Sequence, residues 1–259
     1  MTEDDVAVLI EGYESWNKGE FDMLAELVHP EIEWEPGFGA LEAGTHSGAD
    51  GFRQFLDSWL ESFEEFRIEP ELLVQCGERI VVVARQRGRG RGSGVEIEAR
   101  VVHVWTLRDG KAVGWWGPRT LDEALAALPD PRPAVVLRSY DAFNRGDLDE
   151  AIAAFDPEVE WHSWIVPGPG GATYKGHDGV RELWADARNV FGEFRNVPER
   201  IVVAGDRIAI FVCVRGRGKE SGAEVEGRIA HVMAFRGTKA LKVDSYEDRA
   251  EALRVVGVV

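Results

Sequence analysis

The sequence is short of cysteine, of long apolar runs and of positive charge. Only two cysteines, Cys76 and Cys213, occur in 259 residues, which is too few for a disulfide framework and predicts a reduced, cytoplasmic protein. The amino-terminal residues are acidic, so no secretory signal is predicted. Apolar runs such as residues 209–214 are far shorter than the roughly 20 residues that span a bilayer, and we expect no membrane partner.

The charge balance excludes a further class of partner. The chain has 46 acidic and 30 basic side chains, a formal net charge of −16. A field of that sign repels phosphate backbones and anionic lipid headgroups. We therefore expect no binding to nucleic acid.

Motifs for phosphate, dinucleotide, zinc and redox sites are also missing. There is no glycine-rich phosphate loop, no His-Glu-x-x-His, no Cys-x-x-Cys and no Gly-x-Ser-x-Gly. The six histidines lack the spacing of metal ligands. We predict a protein without a cofactor or a metal.

The chain does contain an internal sequence repeat with two copies. The matching segments, in order, are residues 13–19 with 140–146, 30–34 with 157–161, 48–53 with 176–181, and 87–90 with 215–218. A period of about 127 residues is the length of a whole small domain, not of a solenoid repeat. Prolines cluster between the copies, which predicts a first domain over 1–128, a linker over 129–133 and a second domain over 134–259.

Each copy predicts the same order of helices and strands. Apolar residues spaced three and four apart indicate helices, and strict alternation indicates strands. In the first copy, helices are predicted at 4–17 and 21–28, and a third helix begins with Asp50 as its cap. Strands are predicted at 31–35, 66–75, 79–90, 95–107 and 111–118, and a short helix begins near Leu121. This order predicts an α+β domain with helices on one face of a curved antiparallel sheet.

Charge alone predicts the register of one hairpin in each copy, on the assumption of a two-residue turn at Gly92 and Ser93. The opposed pairs are then Arg89 with Glu96 and Arg87 with Glu98 in the first copy, and Arg217 with Glu224 and Arg215 with Glu226 in the second. Opposite charges across a ladder are stabilising. This interpretation is favoured over an arginine- and glycine-rich RNA-binding tract.

Several repeated segments resemble the SnoaL-like branch of the nuclear transport factor 2 (NTF2) superfamily, present twice. They are the helix ends at 16–19 and 143–146, the strands at 30–34 and 157–161, the Gly-x-Asp-Gly segments from Gly48 and Gly176, and the endings at 121–125 and 249–253. The resemblance implies two tandem cone-shaped domains, each a curved sheet on about three helices around an apolar cavity. Lone cones pair through their sheets, so we expect the two domains to pair within the chain.

The resemblance also supplies candidate catalytic residues. The family's enzymes use a carboxylate base at the end of the first strand, a histidine on the long strand, or an arginine on that strand. The matching positions are Glu35 and His162, His103 and His231, and Arg100 and Arg228. The acids and oxyanion donors that accompany them in those enzymes are replaced here, so each known chemistry is half present.

Each candidate also has a structural explanation. Glu35 and His162 would be solvated ends of strands, and the two strand histidines would be hydrogen-bonded core residues. Strict alternation places Arg100 and His103 on opposite faces of one strand, so without a bulge only one of them is expected to face a cavity. Arg100 and Arg228 would then extend the charge ladder of the hairpin.

Aromatic side chains are the predicted walls of a substrate pocket. An indole provides a large apolar area together with one hydrogen-bond donor. The candidates are Trp16, Trp34, Trp59, Trp116, Trp161, Trp164 and Tyr246. Core or inter-domain packing is the alternative role for most of the tryptophans.

Three functions remain open from the sequence. The leading prediction is a cofactor-independent acid–base enzyme of the cyclase, isomerase or hydrolase type that acts on a small apolar molecule, with Glu35 or His162 moving a proton. The alternative is a small-molecule-binding protein without catalysis. The third is a structural fusion whose cavities are filled by side chains.

Overall fold

The chain folds as two units with the same succession of elements. The computed structural model describes residues 3–37, 44–163, 171–191, 194–218 and 222–258. One unit comprises residues 1–129 and the other residues 130–259. Both are α+β units, which confirms the predicted fold class. Helix α5 of the second unit already begins at Arg132, so the last two residues of the predicted linker are helical.

The first unit places two helices before its first strand and a third before its long strands. Its elements are α1 Glu3–Lys18, α2 Phe21–Leu27, β1 Val28–Glu35, β2 His46–Ser47, α3 Ala49–Ser62, β3 Phe63–Cys76, β4 Arg79–Gly90, β5 Glu96–Arg108, β6 Lys111–Trp116 and α4 Leu121–Ala126. Asp50 lies inside α3, and Gly48 precedes that helix without a side-chain cap. The predicted cap at Asp50 is therefore wrong.

The second unit repeats this order. Its elements are α5 Arg132–Arg145, α6 Leu148–Ile152, β7 Phe155–Ser163, β8 Ala172–Lys175, α7 Gly176–Phe191, β9 Phe194–Ala204, β10 Arg207–Arg217, β11 Glu224–Arg236, β12 Lys239–Tyr246 and α8 Arg249–Val256. The strand order within the units is β2-β1-β6-β5-β4-β3 and β9-β10-β11-β12-β7-β8.

Each sheet is mixed, which corrects the expectation of a purely antiparallel sheet. The long strands form antiparallel ladders, whereas β1 pairs with β6 and β7 pairs with β12 in parallel. These two pairings join strands that are distant in the chain, so no hairpin turn forces them to be antiparallel.

The repeated Asn-x-Gly segment has a structural role in both units. Asn17 accepts a hydrogen bond from the backbone N–H of Ile68 at 2.9 Å and donates one to its carbonyl at 2.8 Å. Asn144 makes the same pair of bonds to the backbone of Asn196. Each asparagine thereby fixes the end of the first helix of its unit against a long strand.

The hairpin register predicted from charge is confirmed. Arg87 lies opposite Glu98, and Arg215 lies opposite Glu226. The turn of the first hairpin is longer than expected, since residues 91–95 lie outside the strands. The register and the turn length are separate properties, and charge pairing specified only the register.

Alternation along the strands determines what each sheet face contacts. In the first unit, Leu9 of α1 and Phe52 of α3 pack in one cluster with Ile80 and Val82 of β4. In the second unit, Leu253 of α8 packs with residues such as Phe211 of β10 and Ala230 of β11. His231 follows Ala230 and therefore belongs to the opposite sheet face.

Candidate functional site

The first unit encloses a cavity of about 700 Å³ between its helices and its sheet. Aromatic side chains of α1, α3, β5 and β6 line it together with aliphatic residues. The rings include Trp16 of α1, Phe52, Phe55 and Trp59 of α3, Trp105 of β5 and Trp115 of β6. The α3 residues follow helical spacing, so one face of that helix provides a continuous aromatic surface.

A hydrogen-bonded tyrosine–histidine pair lies in this aromatic wall. The Oη atom of Tyr13 on α1 lies 2.8 Å from Nδ1 of His103 on β5. The indole Nε1 of Trp105 donates to the same Oη atom at 3.0 Å. Tyr13 and His103 are 7% and 9% exposed, and both line the cavity.

Burial keeps both members of the pair uncharged at neutral pH. The pKa of His103 is lowered to about 4 because burial penalises the imidazolium form. The pKa of the Tyr13 phenol is raised well above its usual value, also by burial, although the bond from Trp105 opposes the shift. The pair therefore presents hydrogen-bonding groups rather than charges.

The charged side chains of the described lining lie at the rim. Arg100 and Arg119 border the cavity and are otherwise exposed. The guanidinium of Arg100 donates to Glu71 at 2.9 Å, which is the charge-ladder role considered from the sequence. None of the described lining residues is an aspartate or a glutamate.

The corresponding space in the second unit is almost closed. Among the described residues it measures about 20 Å³, enough for one water molecule. The repeat places Phe155 where the first unit has Val28, and Trp184 where it has Leu56. The Phe155 ring centroid lies 6.2 Å from that of Trp184 and 5.5 Å from that of Trp161, so these rings occupy the centre of the domain.

The tyrosine–histidine pair persists inside this closed interior. Tyr140 Oη lies 2.6 Å from His231 Nδ1, and burial lowers the pKa of His231 to about 4. Met233 replaces the indole that donates to the tyrosine in the first unit. Nε2 of His231 is fully buried and has no partner within the described part of the chain.

Glu35 and His162 do not lie in either interior. Glu35 is exposed and follows the buried Trp34, so its carboxylate lies on the opposite face of β1. His162 is half-buried, and its Nδ1 lies 3.2 Å from Thr173 Oγ1 at the paired edge of β7 and β8. The placement of these two candidates at a catalytic centre is corrected, because the preceding tryptophans take the inward positions.

Arg228 is placed outside the interior as well. Its side chain is 60% exposed and forms ion pairs with Glu199 at 3.6 Å and Glu226 at 3.9 Å. It does not border the small space of the second unit. Its position fits the charge-ladder explanation.

Of the tryptophans predicted to line the pocket of the first unit, some line the cavity and others do not. Trp16 and Trp59 line the cavity. Trp34 is 2% exposed and belongs to the packed core, and Trp116 does not line the cavity, whereas Trp115 does. The shift by one residue accompanies an irregularity in the pairing of β5 with β6.

In the second unit, Trp161 borders the small remaining space. Tyr246 packs with the cluster around α8, on the other side of the sheet, and is not a pocket residue. Trp164 lies outside the described residues.

Sequence reasoning missed Tyr13, Trp105 and Tyr140. The usable signal was identity between the copies, because Tyr13 and Tyr140 match as His103 and His231 do. Trp105 follows His103 by two residues, which places both on the same face of a strand. The tyrosine and the histidine that face the cavity could therefore have been identified as two residues that both copies share.

The described part of the chain contains neither a metal-binding cluster nor a membrane-spanning helix. No group of three or more histidine, cysteine, aspartate or glutamate side chains there is arranged to hold a metal ion. No helix within the described ranges is long and apolar enough to cross a membrane.

A mixed six-stranded sheet wrapped by helices, present twice, defines a tandem NTF2-like protein. The chain belongs to the SnoaL-like domain family, whose model matches residues 10–115 and 136–243. This confirms the resemblance to the SnoaL-like branch that the repeated segments indicated. No curated protein is significantly similar in sequence.

Solved structures of similar proteins each match about half of the chain. The TerC protein co-crystallised with polyporic acid is 26% identical over 49% of this chain and 98% of its own, with a TM-score of 0.41. An NTF2-like protein of unknown function from Burkholderia pseudomallei is 29% identical over 49% and 97%, with a TM-score of 0.42. An NTF2-like protein from Burkholderia xenovorans is 27% identical over 46% and 90%, with a TM-score of 0.40.

Proposed function

We propose that the first unit binds a flat, largely apolar small molecule in its cavity, and that the second unit binds none. The observation that carries this proposal is the difference between about 700 Å³ and about 20 Å³ at equivalent positions. Small-molecule sites occupy roughly 300–1,000 Å³ and are lined mainly by apolar and aromatic side chains. Among the described residues, the cavity of the first unit meets both criteria and the space in the second unit is too small.

The ring geometry favours a planar ligand. Trp105 and Trp115 are stacked with centroids 5.7 Å apart, and Phe55 lies 5.6 Å from Trp115. Such rings give the cavity broad flat walls, and aromatic contacts favour offset-stacked or edge-to-face partners. A flat ring system gains more contact with these walls than a branched molecule of the same volume.

The described lining favours binding over acid–base chemistry. It contains no carboxylate, and Glu35 lies outside it. His103, whose pKa is about 4, is a weak base at neutral pH and a poor match for general-base catalysis. Binding without catalysis is thus the function that the geometry supports best.

A cavity-filling variant tests this proposal. We expect 1-aminoanthracene, a flat apolar fluorophore, to bind the full chain with one saturable site. Val28→Phe with Leu56→Trp introduces the rings of the second unit into the first and should reduce the affinity at least about 100-fold. Val95→Phe, at a 59% exposed position, is the matched control and should leave binding unchanged.

Circular dichroism and thermal melting would verify that the double variant is folded. Unchanged binding by the folded double variant, or no binding by the parent chain, would contradict the proposal.

The acid–base enzyme remains the second candidate, because the Tyr13–His103 pair lies in the cavity. If it moves protons, the chain should accelerate α-hydrogen exchange of 2-tetralone in D₂O, followed by proton NMR, and His103→Phe should abolish the acceleration. Equal exchange rates with the parent chain and with His103→Phe would exclude His103 as the base for this ketone.

A further inference from the structure

We infer that the fixed polar anchor of the cavity is an N–H donor at Nε2 of His103, so that the ligand carries a hydrogen-bond acceptor such as a carbonyl or an anionic oxygen. This inference rests on the proposed binding function and specifies the chemistry of its ligand. It follows from the order of protons along Trp105, Tyr13 and His103.

The indole of Trp105 fixes the role of the tyrosine oxygen. An indole nitrogen can only donate a hydrogen bond. Trp105 Nε1 lies 3.0 Å from Tyr13 Oη, so the phenol oxygen accepts this bond.

The hydroxyl hydrogen of Tyr13 fixes the direction of the bond to His103. Tyr13 Oη lies 2.8 Å from His103 Nδ1. If Nδ1 carried the proton, the oxygen would accept twice and its own buried hydroxyl hydrogen would have no acceptor among the described residues. A buried donor left unpaired costs roughly 1–3 kcal/mol. The phenol therefore donates to Nδ1.

The single proton of the neutral His103 ring lies on its other nitrogen. A neutral imidazole carries one proton, and Nδ1 is the acceptor, so the proton is on Nε2. The ring is neutral at pH 7 because burial lowers its pKa to about 4. Tyr13 occupies Nδ1, and the His103 ring is 9% exposed and lines the cavity, so Nε2 is the ring nitrogen that remains for a ligand.

Two further donors of the described wall are out of a ligand's reach. The indole nitrogens of Trp59 and Trp115 are fully buried and have no partner in the described part of the chain. Gln86 also lines the cavity, but an amide both donates and accepts and imposes no preference. Of these groups, His103 Nε2 is the accessible one whose role as a donor is fixed, so it favours a ligand with an acceptor oxygen.

The second unit lacks the indole donor that fixes the positions of the protons in the first unit. Met233 stands where Trp105 stands, so no indole of the described residues donates to Tyr140. Nε2 of His231 is sealed inside the closed interior. The fixed order and the open cavity occur together in the first unit.

The tautomer is measurable by long-range ¹H–¹⁵N NMR on the full chain with ¹⁵N-labelled histidine. We expect His103, assigned by the loss of its signals in His103→Gln, to show a protonated Nε2 and an unprotonated Nδ1 at pH 7. Trp105→Met, which copies the second unit, should give a mixture of tautomers. A protonated Nδ1 in the parent chain would overturn the inference.

Ligand preference is measured with a matched pair of probes, 9-fluorenone and fluorene, which differ in one carbonyl oxygen. We expect 9-fluorenone to bind about five- to tenfold more tightly, which corresponds to the net value of one hydrogen bond, and His103→Phe to remove that preference. Equal affinities would overturn the inference while leaving the proposed function intact. If neither probe binds, the proposed function fails, and the inference fails with it.

Discussion

The two units share a fold and a tyrosine–histidine pair, yet one interior is hollow and the other is packed. The hollow unit does not have the smaller side chains overall, since Trp59 and Trp115 correspond to Ala187 and Val243. The difference is where the large rings lie. In the second unit Phe155 and Trp184 lie together at the centre, whereas in the first unit the rings line the walls. A cavity thus depends on a few central positions and not on total side-chain volume.

The largest effect should come from truncating the ring that closes the second unit. Trp184→Ala removes a 6% exposed side chain and should reduce the free energy of unfolding by about 3–5 kcal/mol. Trp59→Ala, in the open unit, should cost clearly less because part of that ring already borders an empty space. Urea denaturation followed by circular dichroism measures both. Equal losses for the two variants would show that the interiors are packed alike.

Acidification should destabilise both units in the same way. The folded-state pKa of His103 and His231 is about 4, below the value of about 6.5 for an unfolded histidine. The unfolded chain therefore binds the proton first as the pH falls, so stability decreases between about pH 6.5 and pH 4. A shift of this size corresponds to roughly 3 kcal/mol for each ring.

Urea denaturation at pH 7 and pH 5 checks this prediction. The double variant His103→Gln, His231→Gln should have a flatter dependence of stability on pH. An identical dependence in the parent chain and the double variant would show that these rings do not have depressed pKa values.

A smaller effect separates the two first-strand tryptophans. Trp161 Nε1 donates to Ser245 Oγ at 3.1 Å, whereas Trp34 Nε1 has no partner in the described chain. Ser245→Ala should therefore cost about 1–2 kcal/mol of unfolding free energy. The same bond cannot be added to the first unit, because a Cβ atom at Gly117 would lie 2.5 Å from the backbone nitrogen of Gly37. Gly117→Ser should destabilise the chain, and a stabilising effect in urea denaturation would contradict this explanation.

The smallest effect is expected on the surface hairpins. Arg215 and Glu226 form an ion pair at 3.1 Å, with side chains 62% and 51% exposed, and solvent screens such pairs strongly. Glu226→Gln should leave the thermal midpoint unchanged within error. A large decrease would mean that the charge ladder stabilises the fold as well as specifying its register.

The fold could be predicted from the sequence because repetition and alternation are local signals. The matching segments at 13–19 and 140–146 established two domains, and the opposed Arg87 and Glu98 specified a hairpin register. The parallel pairing of β1 with β6 was not predictable in this way, since it joins distant strands whose contact leaves no short-range pattern.

The site was only partly predictable. His103 was identified on its strand, but its partner Tyr13 lies 90 residues away on a helix, and their contact depends on tertiary packing. Glu35 was misplaced because the resemblance to family enzymes outweighed its position next to the inward-facing Trp34. The closed second interior was not predictable either, since it depends on how Phe155 and Trp184 meet.

The most direct test of the account is a crystal structure of the full chain soaked with 9-fluorenone. We expect one molecule per chain, between the aromatic walls of the first unit, with its carbonyl oxygen within hydrogen-bond distance of His103 Nε2. A molecule bound inside the second unit, or a first-unit interior without room for the probe, would contradict it.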